Sequence, residues 1–146
     1  MSNVKTPCIG ICSTTSFGDK ICRGCKRFGS EVINWNMYSE NEKRAVMSRI
    51  DKLTTQIMSS KFEIFSVRLL EQALSDYRFF YDPEMSPYLW LHNLLQKRSS
   101  RITSLEEIGV RVRPQFQGSD IRDLLLEINE ALHVLSEAHF ERYFQR

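Results

Sequence analysis

The chain has 146 residues, of which 42% are hydrophobic and 11% aromatic, and its formal net charge is +2. This composition supplies a core for one domain, or for a small module with a second part, and excludes an intrinsically disordered chain. No run in the sequence reaches the ~18–20 apolar residues of a membrane-spanning helix, and the first residues lack the apolar core of a signal peptide. We therefore expect a cytoplasmic protein without a membrane partner, in which cysteines stay reduced.

Charge is divided unevenly along the chain. Residues 1–60 carry nine Lys or Arg against five Asp or Glu, a net +4, whereas residues 61–146 carry eleven against thirteen, a net −2. Four thiolates around one divalent ion would lower the charge of the first segment to about +2. Part of the basic excess therefore compensates for sulfur charge, which weakens the case for a nucleic-acid surface.

The first predicted element is a metal-binding loop. All four cysteines lie within the first 25 residues, with the spacing Cys8-x3-Cys12-x9-Cys22-x2-Cys25. Two close pairs joined by a short loop can bring four sulfurs to one metal centre. The sequence therefore predicts these four cysteines as the metal ligands.

The residues around the cysteines favour this site. Gly10 and Gly24 lie inside the two pairs, where glycine suits a tight turn because it accepts positive φ. Four cations surround the second pair and would offset the thiolate charge and lower the thiol pKa values: Lys20, Arg23, Lys26 and Arg27.

The cysteine spacing leaves the identity of the metal open. Structural zinc sites accept pairs spaced by two to four residues, and iron–sulfur clusters also take four cysteines, although their best-known runs are spaced differently. Ligand geometry alone therefore favours zinc. A site with four protein ligands has no open position for substrate, which argues against catalysis by the metal.

Two short helices are predicted after the loop. Ser30 is a candidate N-cap for a helix over 31–35, which would place Ile33 or Trp35 against the metal loop. Ser39 and Glu42 form a capping box for a helix that runs to about Leu53. Its apolar stripe consists of Ala45, Val46, Ile50 and Leu53.

The remainder of the chain is predicted to be helical. Aromatic and aliphatic residues recur every three or four positions over 62–80, Ser86-Pro87 offers an N-cap and N1 proline, and Ser119-Asp120 begins a last helix. A short helix is possible over 104–107. The alternating segment 110–113 is too short and isolated to predict a sheet.

The predicted fold class is thus mainly α, with a four-cysteine metal module at 1–55 and a region of three to four helices at 56–146, packed on the module. Helical spacing makes core packing the better interpretation of the aromatic residues at 62–81. Trp35 with Met37 could form an exposed recognition patch, but core is again favoured because small metal modules have little other core.

Histidines and further basic residues give weak functional signals. His92, His133 and His139 fall in helical stretches, and the last two are six residues apart, so they do not share a helix face as a metal-binding pair would. A basic run could contact a phosphate backbone, but it lies in the acidic part of the chain and matches no nucleic-acid motif. Its members are Lys97, Arg98, Arg101, Arg111 and Arg113.

A combined pattern resembles a known family, the small bacterial proteins of the domain of unknown function 1289, over about residues 5–53. It consists of Pro7-Cys8-Ile9-Gly10-Ile11-Cys12, Cys22-Arg23-Gly24-Cys25, Arg27, Glu31-Val32-Ile33-x-Trp35, Ser39, Glu42, Arg44 and Arg49. Phe28 departs from the family pattern, in which a small polar residue is expected after the arginine. The family is described as predicted iron–sulfur proteins. The resemblance therefore implies Cys8, Cys12, Cys22 and Cys25 as ligands and puts an iron–sulfur cluster level with zinc, but it implies no activity.

These observations predict a small metal-binding protein whose four-cysteine centre organises a basic loop and helix for interaction with a macromolecular partner, most readily a protein. The alternative is an iron–sulfur protein that transfers electrons or delivers a cluster to a partner enzyme. Nucleic-acid binding is a lesser alternative. No catalytic residue is predicted, and an enzyme is the less favoured interpretation.

Overall fold

The structure is a computed structural model that describes Pro7, Ile21, Cys22 and residues 25–144. Residues 143 and 144 are described by their backbone only. Within these residues the chain is mainly helical, as predicted. Its helices and strands are α1 (Gly29–Asn34), α2 (Glu40–Lys61), β1 (Phe62–Ile64), α3 (Val67–Asp76), α4 (Pro87–Arg98), β2 (Val110–Val112) and α5 (Ile121–Phe144). Short 3-10 turns occupy Trp35–Met37, Ser99–Arg101, Glu106–Ile108 and Pro114–Phe116. No helix of the described residues is long and apolar enough to cross a membrane.

Two compact units make up the chain. The first combines Met1–Leu53 with Asn129–Arg146, and the second is Thr54–Ile128. Helices α2 and α5 each contribute residues to both units. The predicted division into 1–55 and 56–146 stays a prediction.

In the first unit, α1 begins two residues earlier than its sequence signal indicates. Phe28 is the N-cap, and its backbone N–H donates to the Glu31 carboxylate over 2.8 Å. Ser30 is therefore inside the helix, and its prediction as the cap is wrong. Glu31, at position N3, accepts the hydrogen bond of the N-cap backbone N–H instead. This interaction is one half of a capping box.

The predicted capping box of α2 is confirmed. Ser39 N–H donates to Glu42 Oε1 over 3.0 Å, and Glu42 N–H donates to Ser39 Oγ over 3.2 Å. Val46, Ile50 and Leu53 are buried as predicted, whereas Ala45 is exposed and its predicted place in the stripe is wrong. Helix α2 also runs eight residues past Leu53, because no glycine or proline interrupts it before Lys61.

In the second unit, the prediction of helix over 62–80 is wrong at both ends. Phe62–Ile64 forms β1, which pairs antiparallel with β2 in the register Phe62↔Val112, Glu63↔Arg111 and Ile64↔Val110. The segment 110–113 therefore does build a small sheet, contrary to expectation. Helix α3 covers only Val67–Asp76 and is capped by Ser66, whose Oγ accepts from Leu69 N–H over 3.2 Å.

The turn after β1 depends on Gly109, which directly precedes β2. Its carbonyl accepts from Phe65 N–H at 2.9 Å and from Ser66 N–H at 3.2 Å. Its φ is +80°, and a Cβ there would lie 2.2 Å from the Ser66 carbonyl oxygen. Only glycine allows the two backbones to approach this closely.

The helix predicted to begin at Ser86-Pro87 is confirmed. Ser86 Oγ accepts from Tyr88 N–H over 3.1 Å, and Pro87 is the first residue of α4. The fully buried side chains of the second unit are apolar, and Phe62 is the one aromatic residue among them: Met58, Phe62, Leu70, Leu74, Leu91, Leu94, Leu95, Val110, Leu124 and Ile128.

Candidate functional site

Two of the four predicted metal ligands are described. Cys22 and Cys25 lie in the first unit with relative exposures of 1% and 5%, and neither belongs to a disulfide. Cys8 and Cys12 lie outside the described residues. The described residues alone contain no group of three or more His, Cys, Asp or Glu that could hold a metal, so the full ligand set stays a prediction.

Backbone hydrogen bonds close a tight loop around this cysteine pair. Cys22 N–H donates to the Arg27 carbonyl over 2.9 Å, and Lys26 N–H donates to the Cys22 carbonyl over 2.8 Å. Ile21 and Phe28 form an isolated antiparallel bridge just outside these bonds. The loop from Cys22 to Arg27 is thus held at its base, which fixes the backbone on both sides of the pair.

The loop contains a positive φ at Lys26, whose value is 67°. The sequence argument assigned the turn to Gly24, which lies outside the described residues. A left-handed conformation is uncommon for lysine, and it directly follows Cys25. Lys26 therefore adopts a costly conformation that turns the chain immediately after a predicted ligand.

Arg27 connects the cysteine pair to Trp35. Its Nε–H donates to Cys25 Sγ over 3.2 Å, and its guanidinium carbon lies 5.1 Å from the centroid of the Trp35 ring. Burial raises the pKa of the Cys25 thiol, and the hydrogen bond and charge of Arg27 act in the opposite direction. Arg27 is itself buried, so a permanent positive charge contacts the thiol away from bulk water.

Three buried cations belong to this part of the unit. Lys26, Arg27 and Lys43 are all almost fully buried. Lys43 Nζ lies 5.6 Å from the centroid of Trp35, so Trp35 interacts with two of the three. The sequence predicts basic residues near the sulfurs, but it gave no signal for Lys43. Lys43 occupies a buried position of α2, and a pattern of apolar residues does not identify a buried lysine.

The expected burial of Trp35 is confirmed, while its neighbours are exposed. Of the two residues proposed to lie against the loop, Trp35 is buried and Ile33 is 75% exposed. Met37 is 85% exposed, so the expectation that it packs in the core is wrong. Ile33 and Met37 are four positions apart and form an exposed apolar pair on α1 and the turn after it.

Glu31 and Arg49 form a partly buried ion pair that sequence reasoning did not predict. Arg49 Nη1 and Nη2 donate to the two carboxylate oxygens of Glu31 over 2.7 and 2.6 Å. The Arg49 guanidinium also lies 3.9 Å from the centroid of the Phe28 ring, and Phe28 packs edge-on against Phe140 with centroids 5.3 Å apart. Glu31 and Arg49 are 18 positions apart in the chain, so no local periodicity connects them. The signal that the sequence did contain was that both residues belong to the family pattern.

Several of the remaining candidates have ordinary structural partners. His92 shares a 3.1 Å hydrogen bond with Gln96, and His133 contacts Glu137 one helical turn away. In the basic run, Arg111 pairs with Glu63 at 3.9 Å, and Arg113 donates from Nε to the Ser59 carbonyl over 3.1 Å. These contacts fit the weak functional signal of both groups in the sequence.

Comparison with known proteins confirms the resemblance found in the sequence. Residues 6–54 match the model of a family described as protein of unknown function (DUF1289). Uncharacterized protein YdhL from Escherichia coli K12 and its namesake from Shigella flexneri are each 46% identical to this chain over 44 residues, or 30% of the chain and 53% of the relative. The chain thus spans about half the length of the curated relatives it matches. No solved structure matches it.

Proposed function

We propose that the first unit is a metal-dependent interaction module. In this proposal Cys8, Cys12, Cys22 and Cys25 hold one metal centre, and the centre orders the loop and α1 for binding to a protein partner. The observation that carries the proposal is that two buried cysteines outside any disulfide share the first unit with three buried cations, Lys26, Arg27 and Lys43, of which Arg27 contacts Cys25.

Charge balance supports a thiolate centre at this place. Burying a cation is costly unless an opposite charge accompanies it. Four thiolates around one zinc ion carry a net charge of about −2, and an oxidised iron–sulfur cluster with four cysteines carries a similar charge. The donor set therefore fits a soft, thiolate-binding metal, and the buried Arg27 and Lys43 supply the charge that such a centre needs nearby.

The placement of the cations also bears on the partner. Lys26, Arg27 and Lys43 are buried, so a large share of the basic excess of this segment is not available to nucleic-acid phosphates, which are bound by surface charge. Ile33 and Met37, which follow the loop in the chain, instead expose apolar side chains. Exposed apolar groups favour a protein partner.

A second candidate is an iron–sulfur protein that transfers electrons or delivers its cluster to an enzyme. The hydrogen bond from Arg27 Nε to Cys25 Sγ favours it, because hydrogen bonds to ligand sulfurs tune the reduction potential of clusters. Either centre requires reduced cysteines, so the proposal places the protein in the cytoplasm. Four protein ligands leave no open position, and the proposal assigns the chain no catalytic step.

Metal analysis of anaerobically purified protein, together with its visible absorption spectrum, tests the centre. One zinc per chain in a colourless sample supports the first candidate, and a brown sample with iron and sulfide supports the second. A folded protein that contains neither metal, and binds neither on addition, overturns both.

Chemical crosslinking in cells tests the interaction. We expect a partner captured by the wild type to be lost from a variant with Ile33→Ser and Met37→Ser, and from protein stripped of metal. Leu126→Ser is the matched control, since Leu126 is also strongly exposed but lies in the second unit. Equal capture by the double variant would refute the docking role of this pair.

A further inference from the structure

We infer that Glu31 is a positioning residue for the second cysteine pair, and that Arg49 on α2 holds its carboxylate in place. The inference rests on the proposed metal centre and adds to it the hydrogen bonds that connect the end of the metal loop to α2. It assigns a role to two residues of the family pattern that do not ligate metal.

The carboxylate of Glu31 is shared between Phe28, the residue that follows the loop, and Arg49 of α2. Oε1 accepts from Phe28 N–H over 2.8 Å and from Arg49 Nη2 over 2.6 Å, and Oε2 accepts from Arg49 Nη1 over 2.7 Å. Glu31 is buried, so these charge-assisted bonds are strong and geometrically specific. One carboxylate therefore fixes both the Phe28 amide and the position of Arg49.

The Phe28 amide is close to the metal loop in the chain and in space. Arg27, which precedes it, accepts a hydrogen bond from Cys22 N–H, and Phe28 itself bridges to Ile21. Arg49 covers the Phe28 ring at 3.9 Å, so the same pair of residues holds both the backbone and the side chain of Phe28. A loop held this way loses less conformational entropy when it binds metal.

An ordinary helix-capping role is the competing explanation, and the chain offers a matched control for it. Glu42 is also at N3 of its helix, and it also accepts from an N-cap amide, that of Ser39, over 3.0 Å. It is exposed and its capping bond lies at the start of α2 rather than in the loop. Glu31→Gln and Glu42→Gln therefore both change an N3 cap, but only Glu31 holds the residue that directly follows the metal loop.

The experiment is zinc affinity, measured by competition with a chromogenic chelator, alongside thermal unfolding. We expect Glu31→Gln and Arg49→Met each to weaken zinc binding about 10–100-fold, as loss of an outer-shell partner does, and Glu42→Gln to change it less than about twofold. The Glu31→Gln/Arg49→Met double variant should be no weaker than the worse single variant, because the two residues act as one unit. Arg49→Lys, which keeps the charge but loses the two-point contact, should fall between wild type and Arg49→Met.

Three results would overturn the inference: wild-type affinity in Glu31→Gln, equal losses in Glu31→Gln and Glu42→Gln at matched thermal stability, or additive losses in the double variant. If Glu31→Gln fails to fold, Arg49→Lys and Arg49→Met decide by the same criterion. Wild-type protein that binds no metal would instead refute the proposed function. The two failures are therefore distinguishable.

Discussion

Arg27 donates a hydrogen bond from Nε to Cys25 Sγ over 3.2 Å while its guanidinium faces Trp35. Both contacts are buried, so the arginine has exchanged water for one sulfur and one aromatic ring. A cation–π contact compensates part of the lost hydration, and the sulfur contact becomes stronger when the thiol ionises. This pair of contacts makes Arg27 responsive to the charge state of the predicted centre.

Replacing Arg27 with methionine should weaken metal binding. The variant loses the N–H···S bond and a buried positive charge beside the thiolates, and we expect about 10–100-fold lower zinc affinity by chelator competition. Arg44→Met is the control, since it removes the same charge from an exposed residue whose partner, Glu40, is 3.9 Å away. Surface ion pairs of this kind contribute little. Equal affinities for the two variants would show that Arg27 does not support the site.

Cys22→Ser should unfold the first unit. The metal-binding free energy of a structural thiolate site is largely folding free energy, and Cys22 is fully buried at the base of the loop. We expect loss of bound metal and of the near-UV circular dichroism that arises from the packed Trp35. Wild-type protein treated with a chelator is the control and should give the same spectrum. A variant that keeps its metal and its near-UV signal would refute Cys22 as a ligand.

The sequence correctly predicted the starts of α2 and α4, because each depends on capping residues that are close together in the chain. The capping box of Ser39 and Glu42 and the Ser86-Pro87 start both act within one turn, so a short window of sequence contains them. The β1–β2 pair could not be found this way, because its register depends on residues that are far apart in the chain, such as Phe62 and Val112. The three- and seven-residue spacing from Phe62 to Phe65 and Leu69 is the spacing of one helix face, so periodicity predicts a helix there when the pairing partner is unknown.

The candidate site was predictable in its sulfurs and only partly in its surroundings. Cysteine spacing and basic flanks identified the loop and Arg27, which follow from adjacent sequence. Lys43 and Arg49 lie on α2, the next helix after α1. They contact Trp35 and Glu31 only because the chain folds α2 against this segment. Hydrophobic periodicity assigns only apolar residues to buried positions. It therefore predicts burial for Ala45, which is exposed, and does not predict it for Lys43, which is buried.

Gly109→Ala tests the small sheet of the second unit. The φ of +80° costs an L-residue about 1–2 kcal/mol, and the added Cβ would lie 2.2 Å from the Ser66 carbonyl oxygen, so the backbone must move. We expect a loss of about 3–4 kcal/mol in unfolding free energy, measured by urea denaturation. Hydrogen exchange of the Phe65 and Ser66 amides should accelerate as well, since both donate to the Gly109 carbonyl.

Gly118→Ala separates backbone strain from the close approach. Gly118 has nearly the same φ, +87°, but among the described residues beyond its chain neighbours no atom lies within 4 Å of the position that a Cβ would take. The substitution should therefore cost only the strain, about 1–2 kcal/mol, and leave exchange at Phe65 and Ser66 unchanged. If both variants lose the same stability, the contact between Gly109 and Ser66 does not determine the turn. A larger loss at Gly109 identifies that contact as the reason this position requires glycine, because the two sites share the strain and differ in the neighbouring backbone.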